Sequence, residues 1–511
     1  MKRLLMLVAC VVLAAVAATP AAVPDPVRLE SGLISGGPGT SAEVRVFKGI
    51  PFAAPPVGPL RWRAPQPAAA WEGVRAADEF GPRCMQGRGG AGVSEDCLYL
   101  NVWTAAESAA DRRPVMVWSY GGAFTGGAGS LPGYDGENLA GKGAVVVTYN
   151  YRLGPFGWFS HPELSAESGY RGSGNQGLMD AIAALQWVQT NIEAFGGDPN
   201  RVTLFGESAG GALVSALVGS PEARGLFHRA VSQSGAWGGA GQIAPMTRLA
   251  EAEAAGRETA AALDARSLAE LRARPAEDVL RMGSGLRPIV DGKYLPEDLS
   301  VTFSQGRHHD VDVLLGSNRD EGNFPFFGLN AESAERFAVT TRERWGEHAD
   351  TFLAAYPVGS ANERQASQLA AFSDEYSWQM RNWAHLQAKL GRARAYVYYF
   401  THEPPGAPGQ PSRGAMHTAE IPYVFNNPST NWVAADRALA EILSSYWVNF
   451  AASGDPNGSG LPVWPEYRDK SDGRAMLLGS DLRPETPFAR AKLALYDAFW
   501  ERQLKALGGN E

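Results

Sequence analysis

The chain has 511 residues, enough to bury a large core, and length alone allows about three domains, yet no stretch reads as a linker between them. Its 46 Lys and Arg against 54 Asp and Glu give a formal charge of −8. With no sustained basic run, that balance argues against nucleic acid as a partner.

Lys2 and Arg3 open a charged segment, Leu4 to Ala15 form an apolar run, and Ala15-Val16-Ala17 offers a cleavage site. Residues 1–22 read as a signal peptide and residues 23–511 as one mature domain, secreted or periplasmic. Leu7-Val8-Ala9-Cys10 has the form of a lipid-attachment box, but the apolar run before Cys10 is very short and apolar residues continue to Val16. Cleavage is therefore expected over a lipid anchor at Cys10. No later stretch is apolar and long enough to span a bilayer. Without Cys10, two cysteines remain, Cys84 and Cys97, in a chain bound for an oxidising compartment. They predict a disulfide contributing about 3 kcal/mol, and two thiols without a nearby histidine predict no metal site.

Val44 to Ile50 predicts a strand, and the proline-rich run Pro51 to Trp62 an ordered irregular loop. Leu98–Trp103, Pro114–Trp118 and Ala144–Tyr149 predict further strands, the last two apolar enough for the middle of a parallel sheet. Between them, Tyr120-Gly121-Gly122-Ala123-Phe124-Thr125-Gly126-Gly127 is a glycine-rich loop able to aim several backbone N–H groups one way. Asp180 to Phe195 predicts an amphipathic helix stopped by Gly196-Gly197. Val202–Phe205 is then a strand, Gly206-Glu207-Ser208-Ala209-Gly210 a sharp turn, and the residues beyond it a helix. This is the G-x-S-x-G nucleophile elbow, which exposes the Ser208 hydroxyl above a sheet and leaves the Ala209 amide at a helix N-terminus.

His228–Ser232 predicts a strand, Met246 to Met282 a helical insertion of the kind that caps a site, with Ser267 and Glu270 spaced as a capping box, and Val311–Leu315 the next strand. Helices over 331–391, a strand at Ala395–Phe400, and helices near Arg437–Ala451 and Ala489–Leu507 complete an α/β pattern with a mostly parallel sheet. A serine nucleophile needs a base, in the chain order serine, acid, histidine. That order removes His161; His228 follows the elbow too closely, His308 and His309 suit a solvated turn, and His348 and His385 fall in helices. His402 and His417 remain equal candidates, as do Asp320 and Glu321 for the acid.

Phe47-Lys48-Gly49-Ile50-Pro51-Phe52-Ala53, Glu95-Asp96-Cys97-Leu98-Tyr99-Leu100-Asn101 and Phe205-Gly206-Glu207-Ser208-Ala209-Gly210-Gly211 resemble motifs of the type-B carboxylesterase/lipase family, over nearly the whole mature chain. The resemblance implies an α/β-hydrolase fold with helical cap insertions and a serine esterase without cofactor, acting on a small-molecule ester. It implies Glu321 as the acid, from Asp320-Glu321-Gly322, and His417 as the base, from His417-Thr418-Ala419-Glu420-Ile421. Oxyanion amides fall on Gly122, Ala123 and Ala209, with Ala123 where many members carry glycine. Ser234 matches a serine supporting the acid, Glu207 a buried carboxylate beside the nucleophile, and Cys84 and Cys97 the family's disulfide. An inactive scaffold relative and an amidase or carbamate hydrolase are the competing readings. The interval Met85 to Asp96 lacks an aromatic residue and carries Arg88, so cation–π recognition of choline esters is not expected there.

Overall fold

The computed structural model describes residues 23–87, 89–237, 244–282, 287–407, 409–469 and 473–508. The expected signal peptide, with Cys10, and Arg88 lie outside the described residues.

Numbered in chain order, the strands of the main sheet are β1 Gly37–Pro38, β2 Arg45–Pro51, β3 Tyr99–Thr104, β4 Arg113–Ser119, β5 Val145–Tyr149 and β6 Gly197–Glu207. After them come β7 Arg229–Gln233, β8 Asp312–Asn318, β9 Ala395–Phe400, β10 Ala475–Leu478 and β11 Arg483–Glu485. They form an 11-stranded sheet in the order β11-β10-β9-β8-β7-β6-β4-β5-β3-β2-β1. Pairing is parallel from β5 across to β10 and antiparallel at both edges. The apolar runs explain the layering, because every residue of β5 is buried and strands buried on both faces need helices on each side. Helices α1 Gln176–Asn191, α2 Ala209–Gly219, α3 Ala361–Leu390 and α4 Ala434–Ser453 pack on the sheet. Register aligns Phe205 with Trp118 on one side and with Val231 on the other, so the elbow stands between two strands buried in all but their first residues, Arg113 and Arg229.

The structure departs from the sequence reading in detail. α1 starts at Gln176, earlier than Asp180, and passes into a 3₁₀ turn, Ile192–Phe195, before Gly196 at φ 76°. The proline-rich loop contains a 3₁₀ turn, Gly58–Leu60, with Pro59 in its first turn, where a missing N–H costs no hydrogen bond. Three short strands, Val27–Leu29, Gly32–Ser35 and Val74–Ala76, form a separate small sheet that no sequence period announced. The insertion is three helices, Leu249–Ala262, Leu268–Arg272 and Ala276–Val279, and only half of the expected capping box forms: Ser267 Oγ accepts from the Glu270 amide, while the Glu270 carboxylate turns to the Arg266 amide. Its apolar face builds a second core with Trp62, Phe156 and Phe159. Arg61 ties the two together, donating to the Arg274 carbonyl at 2.7 Å while pairing with Glu95. Among the described residues no helix is long and apolar enough to cross a membrane.

Cys84 and Cys97 are joined, with Cα atoms 4.9 Å apart. Alkylation of the native protein without reductant, followed by mass spectrometry, is expected to leave both thiols unmodified. Two alkylated cysteines would refute the bridge.

Candidate active site

The strand-turn-helix at Ser208 is dictated by two close approaches. A Cβ on Gly210 would lie 1.9 Å from the Ser119 carbonyl oxygen, and one on Gly206 would lie 2.7 Å from the same oxygen and from Gly210. Only glycine lets β6 reverse into α2 against β4. Between them Ser208 is held at φ 58°, ψ −125°, a conformation costly for any residue with a Cβ. Its amide donates to the Gln233 carbonyl and its carbonyl accepts from the Ala212 amide, both at 2.9 Å. The neighbouring structure thus imposes the strain.

The glycine-rich loop after β4 runs directly beside this turn, since a Cβ on Gly121 would meet Ser208 Cβ at 2.9 Å. Gly122, Ala123 and Phe124 take φ values of 116°, 53° and 60°, and the chain reverses there so that the Thr125 and Gly126 amides donate to the Gly122 carbonyl at 3.0 and 3.1 Å. Gln86, which the sequence reading passed over, clamps the far end: its side chain donates to Gly127 O at 2.8 Å and accepts from Gly127 N at 3.0 Å. The disulfide-closed loop therefore braces the glycine loop.

Glu321 and His417 meet at the carboxyl end of the sheet. Glu321 is fully buried; its Oε1 accepts from Ser234 Oγ at 2.6 Å and from the Asn318 amide at 2.7 Å, and its Oε2 lies 2.5 Å from His417 Nδ1. His417 Nε2 stands 3.1 Å from Glu207 Oε1 outside hydrogen-bonding geometry, and has no hydrogen-bond partner among the described residues. No hydrogen bond joins it to Ser208 Oγ, a contact that commonly tightens only with substrate bound. Burial pulls the imidazole's pKa down, and the carboxylates of Glu207 and Glu321 more than offset this, raising it to about 9. Burial also pushes the Glu207 carboxyl well above its usual range, partly offset by His417, so these two groups titrate together.

The alternatives left open by the sequence are placed elsewhere. Asp320 turns away to accept the Ala415 amide at 2.9 Å and to pair with Arg319, zipping its own loop onto the loop that carries His417. His402 Nε2 lies 2.7 Å from Asp436 Oδ1, which also accepts from Tyr423. His308 and His309 are not on a solvated turn: both are buried, His308 stacked on Phe303 and bonded to Gln387, His309 bonded to the Ser220 carbonyl at 2.6 Å. The two side chains meet different partners, His308 Phe303 and Gln387, His309 Phe227 and the Ser220 carbonyl. Burial lowers both, His309 to about 4. His161 and His228 accept backbone amides through Nδ1.

Two further features escaped the sequence reading. Glu420 is buried and accepts from Gln233 Nε2 at 2.9 Å and Asn318 Nδ2 at 2.5 Å, while Trp447 Nε1 donates to Gln233. Burial raises its carboxyl pKa. Phe324, Phe327 and Tyr376 surround the imidazole of His417, with ring centroids 5.6, 4.8 and 5.3 Å away. The aromatic cluster Phe324-Pro325-Phe326-Phe327 straight after the candidate acid was the available signal. Among the described residues no group of three His, Cys, Asp or Glu is placed to hold a metal ion.

The model of the carboxylesterase family matches residues 24–494. The chain belongs to the carboxylesterase family. Fumonisin B1 esterase of Sphingopyxis macrogoltabida is 39% identical over 487 residues, covering 89% of this chain and 86% of that protein. Para-nitrobenzyl esterase of Bacillus subtilis is 35% identical over 483 residues, 87% of this chain and 93% of its own. Human cocaine esterase is 34% identical over 513 residues, 91% and 88%. A solved structure titled PNB esterase superimposes with a TM-score of 0.79 at 34% identity, over 91% of this chain and 99% of that one. The carboxylesterase is thus a carboxylic-ester hydrolase with the α/β-hydrolase fold, which places its candidate groups where that fold's strands end.

Proposed function

We propose that this carboxylesterase cleaves small-molecule esters through an acyl-enzyme formed on Ser208, with His417 as general base and Glu321 as the group that orients it. The observation that carries the reading is the 2.5 Å contact of His417 Nδ1 with a buried Glu321 that Ser234 and Asn318 also hold. Nδ1 occupied in this way leaves Nε2 free for the serine proton. As Ser208 Oγ attacks the ester carbonyl, its proton passes to Nε2, and the negative charge on the carbonyl oxygen is met by the amides of Gly122, Ala123 and Ala209. Each such donor is worth about 3 kcal/mol of barrier. His417 then returns the proton to the leaving alcohol, and water repeats the sequence to release the acid.

Labelling by a serine-reactive organophosphonate tests the nucleophile, and rates on esters set beside matched amides separate the esterase reading from an amidase. We also propose that residues 1–22 are removed on export; an intact mass retaining them would contradict this.

The acid side of the pH profile tests the Glu207–His417 pair. His417 must be neutral to act as base, and the Glu207 carboxylate raises its pKa. Glu207→Gln removes that charge and is expected to move the acidic limb of kcat/KM to lower pH. A limb that stays fixed or moves to higher pH would refute the coupling.

A further inference from the structure

The glycine-rich loop after β4 is folded back on itself. A Cβ on Gly122 would lie 2.2 Å from the Gly126 carbonyl oxygen, and one on Gly127 would lie 2.7 Å from that of Gly121. The two ends of the loop are therefore in backbone contact and cannot shift independently. Two groups from outside hold this unit. The Gly154 amide donates to the Phe124 carbonyl at 2.7 Å, and the half-buried Gln86 pairs with both polar groups of Gly127, its Nε2 donating to the carbonyl at 2.8 Å and its Oε1 accepting from the amide at 3.0 Å. Among the described residues no other side chain from outside residues 121–127 hydrogen-bonds to them. Gln86 is itself fixed in place. Its Nε2 also donates to the Cys84 carbonyl at 3.0 Å, Cys84 is bridged to Cys97, and Met85 is buried in the second core with Trp62 and Phe156.

We propose that Gln86 is a positioning residue for ester cleavage: by pairing with Gly127 it sets where the Gly122 and Ala123 amides stand relative to Ser208. The proposal deepens the acyl-enzyme reading and rests on it. A loop this rich in glycine has few side chains to wedge it in one conformation, so its rigidity must come from outside. A primary amide suits the task because it meets a peptide group as donor and acceptor together, like one rung of a β-ladder. With Nε2 and Oε1 engaged by Cys84 and Gly127, Gln86 acts through the loop and not on substrate. Negative charge gathers on the ester carbonyl oxygen only as the tetrahedral adduct forms. Displaced donors therefore cost transition-state stabilisation while leaving ground-state binding almost unchanged.

The test uses Gln86→Met, which keeps the length of the side chain and removes both bonds to Gly127. Rates are expressed per active site titrated to completion with the organophosphonate, so that any unfolded fraction drops out. Outright loss of one oxyanion donor costs about 10²- to 10³-fold in kcat, and displacement of the loop is expected to lower kcat/KM about 30-fold. A trifluoromethyl ketone analogue of the ester adds Ser208 Oγ across its carbonyl and puts the resulting oxyanion in the same place. Its inhibition constant is expected to rise by about the same factor, whereas that of the matched secondary alcohol, which forms no adduct, stays within about twofold. A kcat/KM per titrated site equal to wild type overturns the proposal. So does an equal loss of affinity for ketone and alcohol, which would mean that Gln86 shapes the cleft as a whole. Failure of the nucleophile reading looks different: the ketone would then bind Ser208→Ala as tightly as wild type.

Discussion

Ser208→Ala is expected to lower kcat by roughly 10⁴-fold or more and to abolish organophosphonate labelling. The substitution removes one hydroxyl from a residue whose backbone is fixed by the Gln233 and Ala212 hydrogen bonds, so it opens no cavity and the melting temperature should stay within a few degrees of wild type. His417→Ala should lose about as much activity, because nucleophile and base act as a unit. His402→Ala is the control. Its imidazole bonds Asp436 at the start of α4, so the change should cost about 1 kcal/mol of stability and leave kcat/KM within about twofold. Retained labelling in Ser208→Ala would place the nucleophile elsewhere. An active His417→Ala with an inactive His402→Ala would exchange the roles of the two histidines.

Gly210→Ala tests the elbow through backbone alone. The added methyl would stand 1.9 Å from the Ser119 carbonyl oxygen and 2.8 Å from the backbone of Tyr120, and neither is the end of a flexible side chain. The start of α2 and the end of β4 must part for it to fit. Overpacking of this kind costs about 1–3 kcal/mol, and more where backbone has to move. The variant is expected to melt several degrees lower and to lose most of its turnover, since Ser208 directly precedes α2 and the glycine loop directly follows β4. Wild-type melting together with wild-type kcat would show that the elbow tolerates a side chain there.

The long apolar runs were legible because strands buried on both faces need no alternation; β9 coincides with its sequence bounds, Ala395–Phe400. The elbow was legible because its glycines and its serine are adjacent. Local chemistry left the choice between Asp320 and Glu321 open, because adjacent carboxylates look alike, and only the motif resemblance favoured Glu321; in the structure the Ala415 amide captures one and the Ser234 hydroxyl the other. His402 and His417 follow the same strand, and carboxylates from distant segments distinguish them, Asp436 beside His402 and Glu321 beside His417. Gln86 carried no local signal, for its partner Gly127 comes from another segment, and Glu420 served only to place His417, its own partners Gln233 and Asn318 being distant in sequence. His308 and His309 misled because a polar pair reads as surface until the chain supplies Gln387 and the Ser220 carbonyl.

Four hydrogen bonds of the site span long stretches of chain: Ser234 to Glu321 across 87 residues, Glu321 to His417 across 96, Gln233 to Glu420 across 187 and Trp447 to Gln233 across 214. Contacts so distant in sequence form slowly, after the entropy of closing the intervening loops has been met. A ribosome releases Ser208 and its elbow long before the segment bearing His417 emerges. If Ser208 and His417 act together as proposed, the nascent chain is chemically silent, and reappearance of ester cleavage in a refolding experiment marks the docking of the last third of the chain.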